Sequence, residues 1–553
     1  VKQWIKKWLD RAGGLGSTPS TTVGAAALLI AFAGVASRFL GFIRDRILAS
    51  SFGAGDVLDA YYTAFRLPDL IYSFLVLGAL SAAFVPVFTE LISDDKKKEA
   101  WKLTSGVLHM TLFSVGIFSL LGIIFATPLT AFLAPGFSGE KQDLVTDLTR
   151  IMLISPLFLA ASSVFGGVLV SFKQFATYSF APVFYNIGII FGALCLTRFF
   201  GPQGLAWGVV LGAFFHMAVQ YPGLRLAGFR FEWALLASWR DRNVRRVLML
   251  MIPRSLGMGL NQVSLIVMTV FASTLVSGSL AAFTLANNIQ SVPLGLFGIA
   301  FALAAFPSLS LLAAKKQQGE FFATFAETAR KILFFVVPLS IFMIIFRAQC
   351  VRVILGSGNF DWQDTITTFE VLKFLAISLF AQSLIPLFAR AFFALQNTRT
   401  PLYIAIVSEA VHIALIPLLL PLYQVQGLAI AFSLSALLNF ALLYFFLRKN
   451  ISVWDDKAIV LPVAKIFLAA ILAGVVAQVS KSVFALTTNE LDTFIEVFLQ
   501  LVTGLAIGGS AYVFFAHALR VEELARMKRF ILCRILKQPE TSATTDHPER
   551  GDW

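Results

Sequence analysis

Cysteine is nearly absent. The three in 553 residues, Cys195, Cys350 and Cys533, are odd in number, widely spaced and without nearby histidine, so neither a disulfide framework nor a zinc site is indicated. Charge is almost as scarce. Asp, Glu, Lys and Arg make up 14% of the chain against 58% hydrophobic residues, a balance shown by neither a soluble enzyme nor a disordered chain. A Gly-rich phosphate loop, a metal-spaced His or Cys cluster and an elbow-type nucleophile are also missing, so no enzyme class is expected and no cofactor is called for. The net charge of +13 does not indicate nucleic acid, because the cations are spread among loops instead of gathered on one face. Asp94 and Asp95, followed by three lysines, read as solvated surface.

What the chain has instead is long apolar runs. About 20 apolar residues cross a bilayer as a helix. On that measure the sequence predicts an all-α polytopic membrane protein with about fourteen spans. The first six are Val23–Ser50, Asp69–Phe88, Leu103–Phe125, Ile151–Phe172, Val183–Phe200 and Gly204–Leu224. The next six are Val247–Val276, Leu280–Leu312, Ile332–Phe346, Thr368–Phe393, Leu402–Leu420 and Gly427–Phe446, with Ile459–Val479 and Thr493–Ala518 last. Lysine and arginine concentrate in alternate loops, around Lys96 to Lys102, Arg225 to Arg246, Lys315-Lys316, Arg448-Lys449 and Arg526 to Arg534. Positive loops stay inside, so both termini are expected in the cytoplasm. Residues 1–22 set Trp4, Ile5, Trp8 and Leu9 against Lys2, Lys6 and Lys7, the pattern of a short helix lying on the membrane surface. A signal peptide fits less well, since the apolar region begins too late.

The chain also repeats itself. QGLAWGVVLGAFFHMAVQYPGLR from Gln203 matches QGLAIAFSLSALLNFALLYFFLR from Gln426 without a gap, a separation of about 223 residues. SRFLG at Ser37–Gly41 echoes PRSLG at Pro253–Gly257, which makes Arg38 and Arg254 counterparts. Each unit holds six predicted helices, an even number, so the two copies run the same way through the bilayer with a substrate site expected between them. The expected organisation is an interfacial segment (1–22), an N-lobe (23–226), a basic loop (227–246), a C-lobe (247–450), a final helix pair (451–519) and a cytoplasmic tail (520–553).

Charges on the first span are out of place for a membrane helix. Arg38, Arg44, Asp45 and Arg46 continue the apolar run of Val23–Ala36, and Arg38 falls roughly 20 Å along it, where an unpaired cation costs at least about 2.5 kcal/mol. At 100° per residue Arg38, Gly41 and Asp45 share a face, Arg46 lies to one side and Arg44 turns toward another helix. Such residues line a polar cavity or meet a partner. Arg46 and Arg66, nearer the outer end, also suit interfacial snorkelling. Glu409 and His412 lie one turn apart on a predicted span, placed to couple transport to a proton or Na⁺ or to form a structural pair, with Asn439 a third candidate ligand.

SRFLGFIRD, FGAGDVLDAYYTAF, RLPDL and GALSAAFVPVF closely resemble the opening of the MurJ (MviN) family, bacterial flippases of the lipid-linked peptidoglycan precursor lipid II. The similarity continues through FASTLVSGS, Pro293 to Gly295, FPSLS and QNTRTP, covering roughly Val23 to Asn450. The resemblance implies a fold of the multidrug/oligosaccharidyl-lipid/polysaccharide exporter superfamily, with the last two helices forming a groove for the substrate's lipid tail. It implies an anionic lipid-linked substrate bound by Arg38, Arg44, Arg46, Arg66 and Arg254, with Asp45 orienting the arginines. Asp59 corresponds to a family carboxylate, though a helix N-cap would also explain it. Three departures stand out. Asn287, Asn288 and Ser291 replace an Asp-Arg pair and a Glu of the eighth helix, Tyr72 and Leu77 replace an Arg and a Glu of the second, and Met268 replaces an acidic residue of a cation site. Competing functions are export of another lipid-linked saccharide, cation-coupled drug export, or a transport-inactive scaffold for cell-wall synthesis. Coupling to Na⁺, H⁺ or membrane potential is expected of a transporter. A monomer among membrane lipids is also expected, with cell-wall synthesis proteins as candidate partners.

Overall fold

Backbone groups in hydrocarbon must be bonded within their own segment, which leaves the helix as the natural form for these runs. The computed structural model describes residues 23–77, 80–229, 231, 241–487 and 493–535, and no strand occurs among them. The predicted surface helix at 1–22, half of the 227–246 loop and residues 536–553 of the tail lie outside the described residues.

The first half of the chain forms α1 (Val23–Phe52), α2 (Asp56–Ala64), α3 (Arg66–Tyr72), α4 (Leu80–Ser93), α5 (Lys97–Ile124) and α6 (Ala126–Leu133). It continues with α7 (Gly139–Met152), α8 (Ser155–Ser171), α9 (Phe175–Phe191), α10 (Thr197–Phe200), α11 (Gln203–Ala218) and α12 (Tyr221–Leu226). The second half forms α13 (Arg242–Ser273), α14 (Ser279–Pro293), α15 (Ala300–Ala314), α16 (Gln318–Ile345), α17 (Arg347–Ile354) and α18 (Trp362–Ile377). It ends with α19 (Leu379–Ala394), α20 (Arg399–Asn450), α21 (Asp456–Thr487), α22 (Phe494–Ala518) and α23 (Glu522–Ile535). Among the described residues nine helical stretches are long and apolar enough to cross a membrane, or ten if α18 and α19 make one bent span. The predicted fourteen is compatible with this. α20 alone contains two predicted spans, joined where Gln424 leaves helical geometry at φ 48° and ψ −131°.

Two compact units emerge. One comprises Val1–Val292, Phe346–Ala381 and Asn397–Leu443. Within it α9 packs against both α1 and α11, α7 against α2, α8 against α4, α5 and α11, and α13 against α4. The α9–α11 crossing is backbone to backbone. A Cβ added at Gly188 would lie 2.2 Å from the Gly212 Cα, and one at Gly192, just past α9, would lie 2.3 Å from the Gly208 Cα. Small residues allow such approach where apolar lipid gives helices no hydrophobic reason to associate. A core around Phe84, Phe88, Val107 and Val164 fills the space beneath α4 and α8.

The other unit comprises Pro293–Ile345, Gln382–Gln396 and Tyr444–Trp553. α16 packs along α21, and α21 along α22. Arg330 donates from Nε to Glu523 Oε1 at 2.8 Å and from Nη1 to the Ala458 carbonyl at 2.8 Å. The Tyr512 hydroxyl donates to the Phe334 carbonyl at 2.8 Å. Both Arg330 and Glu523 are largely buried, so losing either would strand a charge.

Gly192→Val should force α9 and α11 apart and lower stability by about 1–3 kcal/mol, read as a reduced thermal midpoint in detergent. Gly34→Ala, where an added Cβ meets nothing within 4 Å, should leave the midpoint unchanged.

Candidate functional site

Nothing in α1 breaks the helix before Phe52, so its charges are carried on one rigid rod. The rod ends at Gly53, whose φ of +63° favours glycine, and α2 starts three residues later. This hairpin of α1 and α2 opens a cavity of about 270 Å³. Its charged lining is Arg44, Arg66 and Asp69. Tyr61, Tyr62, Asn287 and Asn288 add neutral polar groups, and Leu265 and Met268 of α13 an apolar wall.

Arg44 grips Asp45 Oδ1 with Nε at 2.9 Å and Nη2 at 2.8 Å, and gives Nη1 to Asn186 Oδ1 of α9 at 3.0 Å. The sequence turned Arg44 toward another helix. It does reach α9, and its long stem also lets the guanidinium line the cavity. Asp45, 3% exposed, takes a second bond on Oδ2 from the Asn288 amide at 3.0 Å. Arg66, also buried, uses Nε on the Thr269 hydroxyl of α13 at 2.7 Å. The Tyr62 hydroxyl, buried at the wall, has no hydrogen-bond partner among the described residues.

Other predicted residues sit elsewhere. Arg38 gives Nη1 to the Val292 carbonyl near the end of α14 at 2.9 Å, and Arg46 gives Nη1 to the Val353 carbonyl of α17 at 2.5 Å. Neither lines this cavity. Arg254 lies on α13, but its side chain and that of Leu77 are outside the described residues. Tyr72 bonds Ser163 at 2.9 Å. Ser291 donates to the Asn288 carbonyl.

Asp59 does not cap its own helix. Its carboxylate, 2% exposed, accepts the Gly278 N–H at 2.8 Å, the Ala281 N–H at 2.9 Å and the Lys141 ammonium at 2.8 Å. It therefore caps α14, where unpaired N–H groups and the positive end of the helix dipole favour an anion. Lys141 also pairs with Asp56 at 2.6 Å, and Ser277 donates to Asp56. These two donors hold the Asp56 carboxyl below its usual range. The pair contributes fully above the ordinary carboxylate pKa and is lost only as pH falls through the lower folded value. This cluster shuts one end of the α1–α2 hairpin against α14.

Glu409 and His412 meet within α20, with Nδ1 3.1 Å from Glu409 Oε1. The Ser264 hydroxyl of α13 lies 3.2 Å from the same nitrogen. No described hydrogen bond joins Asn439 to either. Sequence reasoning missed Asp69, three residues past Arg66 in the RLPD motif, and the tyrosines beside Asp59. Lys141, Asn186 and Ser264 carried no signal.

A family model described as "Lipid II flippase MurJ" matches residues 48–500. The chain is 29% identical over 496 residues to the probable lipid II flippase MurJ of Buchnera aphidicola subsp. Acyrthosiphon pisum, covering 88% of this chain and 96% of that one. It is 31% identical to the probable lipid II flippase MurJ of Vibrio cholerae serotype O1 over 74% of this chain and 79% of that one. A solved structure titled "Lipid II flippase MurJ, inward closed conformation" shares the fold with a TM-score of 0.73 at 22% identity, over 89% of this chain and 99% of that one. With its apolar helices and its arginine-lined cavity, the chain is a multi-pass membrane protein belonging to the MurJ family of lipid II flippases.

Proposed function

We propose that this chain moves lipid II from the inner to the outer leaflet of the bacterial cytoplasmic membrane by alternating access. The observation that carries the reading is the cavity in which Arg44 and Arg66 face Asp69 and the unpartnered Tyr62 hydroxyl within a MurJ-family fold. Guanidinium forks suit phosphate oxygens and keep their charge when partly dehydrated. Each arginine has a carboxylate close by, Asp45 for Arg44 and Asp69 for Arg66, which balances the charge inside the membrane. A pyrophosphate would enter by exchanging with those carboxylates. The cavity's size suits a phosphate group or one sugar ring, so the rest of the headgroup would extend from it. Arg38 and Arg254 are further cations for the path.

With both termini in the cytoplasm, as the loop charges support, the Asp59 cluster lies at the outer end of α1. There it acts as the outer gate, closed while α14 is capped. One chain carries both repeats, so we read the working unit as a monomer. A second reading, another undecaprenyl-linked saccharide as cargo, is favoured by Asn287 and Asn288, whose amides suit sugar hydroxyls better than phosphate.

In a bacterium depleted of its own flippase, the chain should restore growth and outer-leaflet lipid II. Arg44→Ala, at equal expression, should restore neither. A lost charge-assisted bond of about 1.5–3 kcal/mol lowers affinity about ten- to a hundredfold, and Arg44→Lys should recover only part because it loses the two-pronged grip on Asp45. Full complementation by Arg44→Ala would defeat the anionic-cargo reading.

The gate is tested separately. Asp59→Ala leaves the Gly278 and Ala281 N–H groups and Lys141 without their acceptor, so a cysteine at Thr284 should react with an external, membrane-impermeant maleimide about ten- to a hundredfold faster. An unchanged labelling rate would show that Asp59 does not hold the gate.

A further inference from the structure

We propose that Glu409 and His412 of α20, with Ser264 of α13, form a proton-binding site whose loading and release drive the transport cycle. The inference rests on the transport reading above and names its energy source. His412 is 1% exposed. A carboxylate can only accept, so the Nδ1 facing Glu409 Oε1 carries the imidazole hydrogen, shared with the Ser264 oxygen. Nε2 is then a lone pair, and it is buried with no hydrogen-bond partner among the described residues. A lone pair backed by a carboxylate across the ring is a proton acceptor.

Few ionisable groups share the pair's own helix or the helix it bonds. On α20, from Pro401 to Leu447, the only ionisable groups besides three tyrosines are these two. The facing α13 offers none between Ser255 and Ser273, α18, whose Phe374 carbonyl accepts from Ser433, carries Glu370 and Lys373 paired with each other, and Phe432 packs edge-on against the imidazole with centroids 5.8 Å apart. The donor set argues for a proton over Na⁺. A hard cation takes several oxygens, whereas here one carboxylate and one hydroxyl surround a ring nitrogen. Among the described residues no group of three or more His, Cys, Asp or Glu is placed to hold a metal ion.

The step balances simply. Nε2 takes a proton from water on one side of the membrane, the pair passes from net −1 to neutral, and the same proton leaves to water on the other side. An enclosed net charge in apolar surroundings is costly while the neutral pair is not, so the loaded site tolerates closure and the empty one favours hydration. The link to substrate runs along α13. Ser264 is followed by Leu265 and Met268, which line the cavity, and by Thr269, which holds Arg66.

The test uses the full chain in proteoliposomes with fluorescent lipid II, an entrapped pH dye and the membrane potential clamped. A pH gradient of one unit should bias wild-type flipping by up to about tenfold, and lipid II should trigger proton flux, while a Na⁺ gradient at matched pH changes nothing. His412→Gln and Glu409→Gln should each abolish the pH response and the flux. The proposal is overturned if either variant with an unchanged thermal midpoint keeps the full response, or if Na⁺ drives the wild type in place of protons. Should lipid II not move at all, the cargo reading fails. Proton flux triggered by a total bacterial lipid extract, present in the wild type and absent in His412→Gln, would still uphold the site, and flux equal in both would still sink it.

Discussion

A charge placed inside a bilayer must find a partner, and in this protein the partners come from distant parts of the chain. α1 shows the consequence. Arg38 reaches Val292, Arg46 reaches Val353, Arg44 holds Asp45 and Asn186, and Asp45 also takes Asn288. Apart from the Arg44–Asp45 pair, these bonds tie the first helix to three later segments, so the residues that make the interior polar also set how α1, α9, α14 and α17 assemble. Removing one would leave an uncompensated group and loosen a helix contact together.

The proposed gate uses the same logic with a backbone partner. Asp59 satisfies the start of α14 from 219 residues away and keeps Lys141 beside it. A carboxylate on a helix N-terminus is favourable but releasable, since the exposed N–H groups can turn to water once the helices part. Asp45 against Arg44 is a tighter, two-pronged clasp. A transporter needs both kinds, a durable pair to keep the interior charged and a weaker latch to open.

Much of this was legible in the sequence because hydropathy, loop charge and the 223-residue repeat are properties of single segments or of direct comparison between them. The helical fold and the family follow from such patterns. The partners of Asp59 and His412 do not. From spacing, Asp59 reads as a cap of its own helix and Asn439 as a ligand beside Glu409, while the structure brings α14 to the first and Ser264 to the second. The helical wheel likewise directs a Cα–Cβ bond, not the end of a long arginine, which is why Arg44 serves both α9 and the cavity. Hydrogen-bond partners more than a hundred residues apart depend on packing that no local pattern records.

Some departures from the family pattern remove charge but keep a hydrogen bond, whereas Leu77 and Met268 keep no polar group. Asn288 still binds Asp45, and Tyr72 still finds Ser163. A cavity with fewer cations should depend all the more on Arg44 and Arg66 for holding phosphate. The most direct measurement is competition for purified protein in detergent, displacing labelled lipid II with undecaprenyl pyrophosphate or with a neutral undecaprenol-linked saccharide. The pyrophosphate should compete, more weakly as salt rises, and the neutral lipid should not. Equal competition by the two would contradict recognition through the arginines.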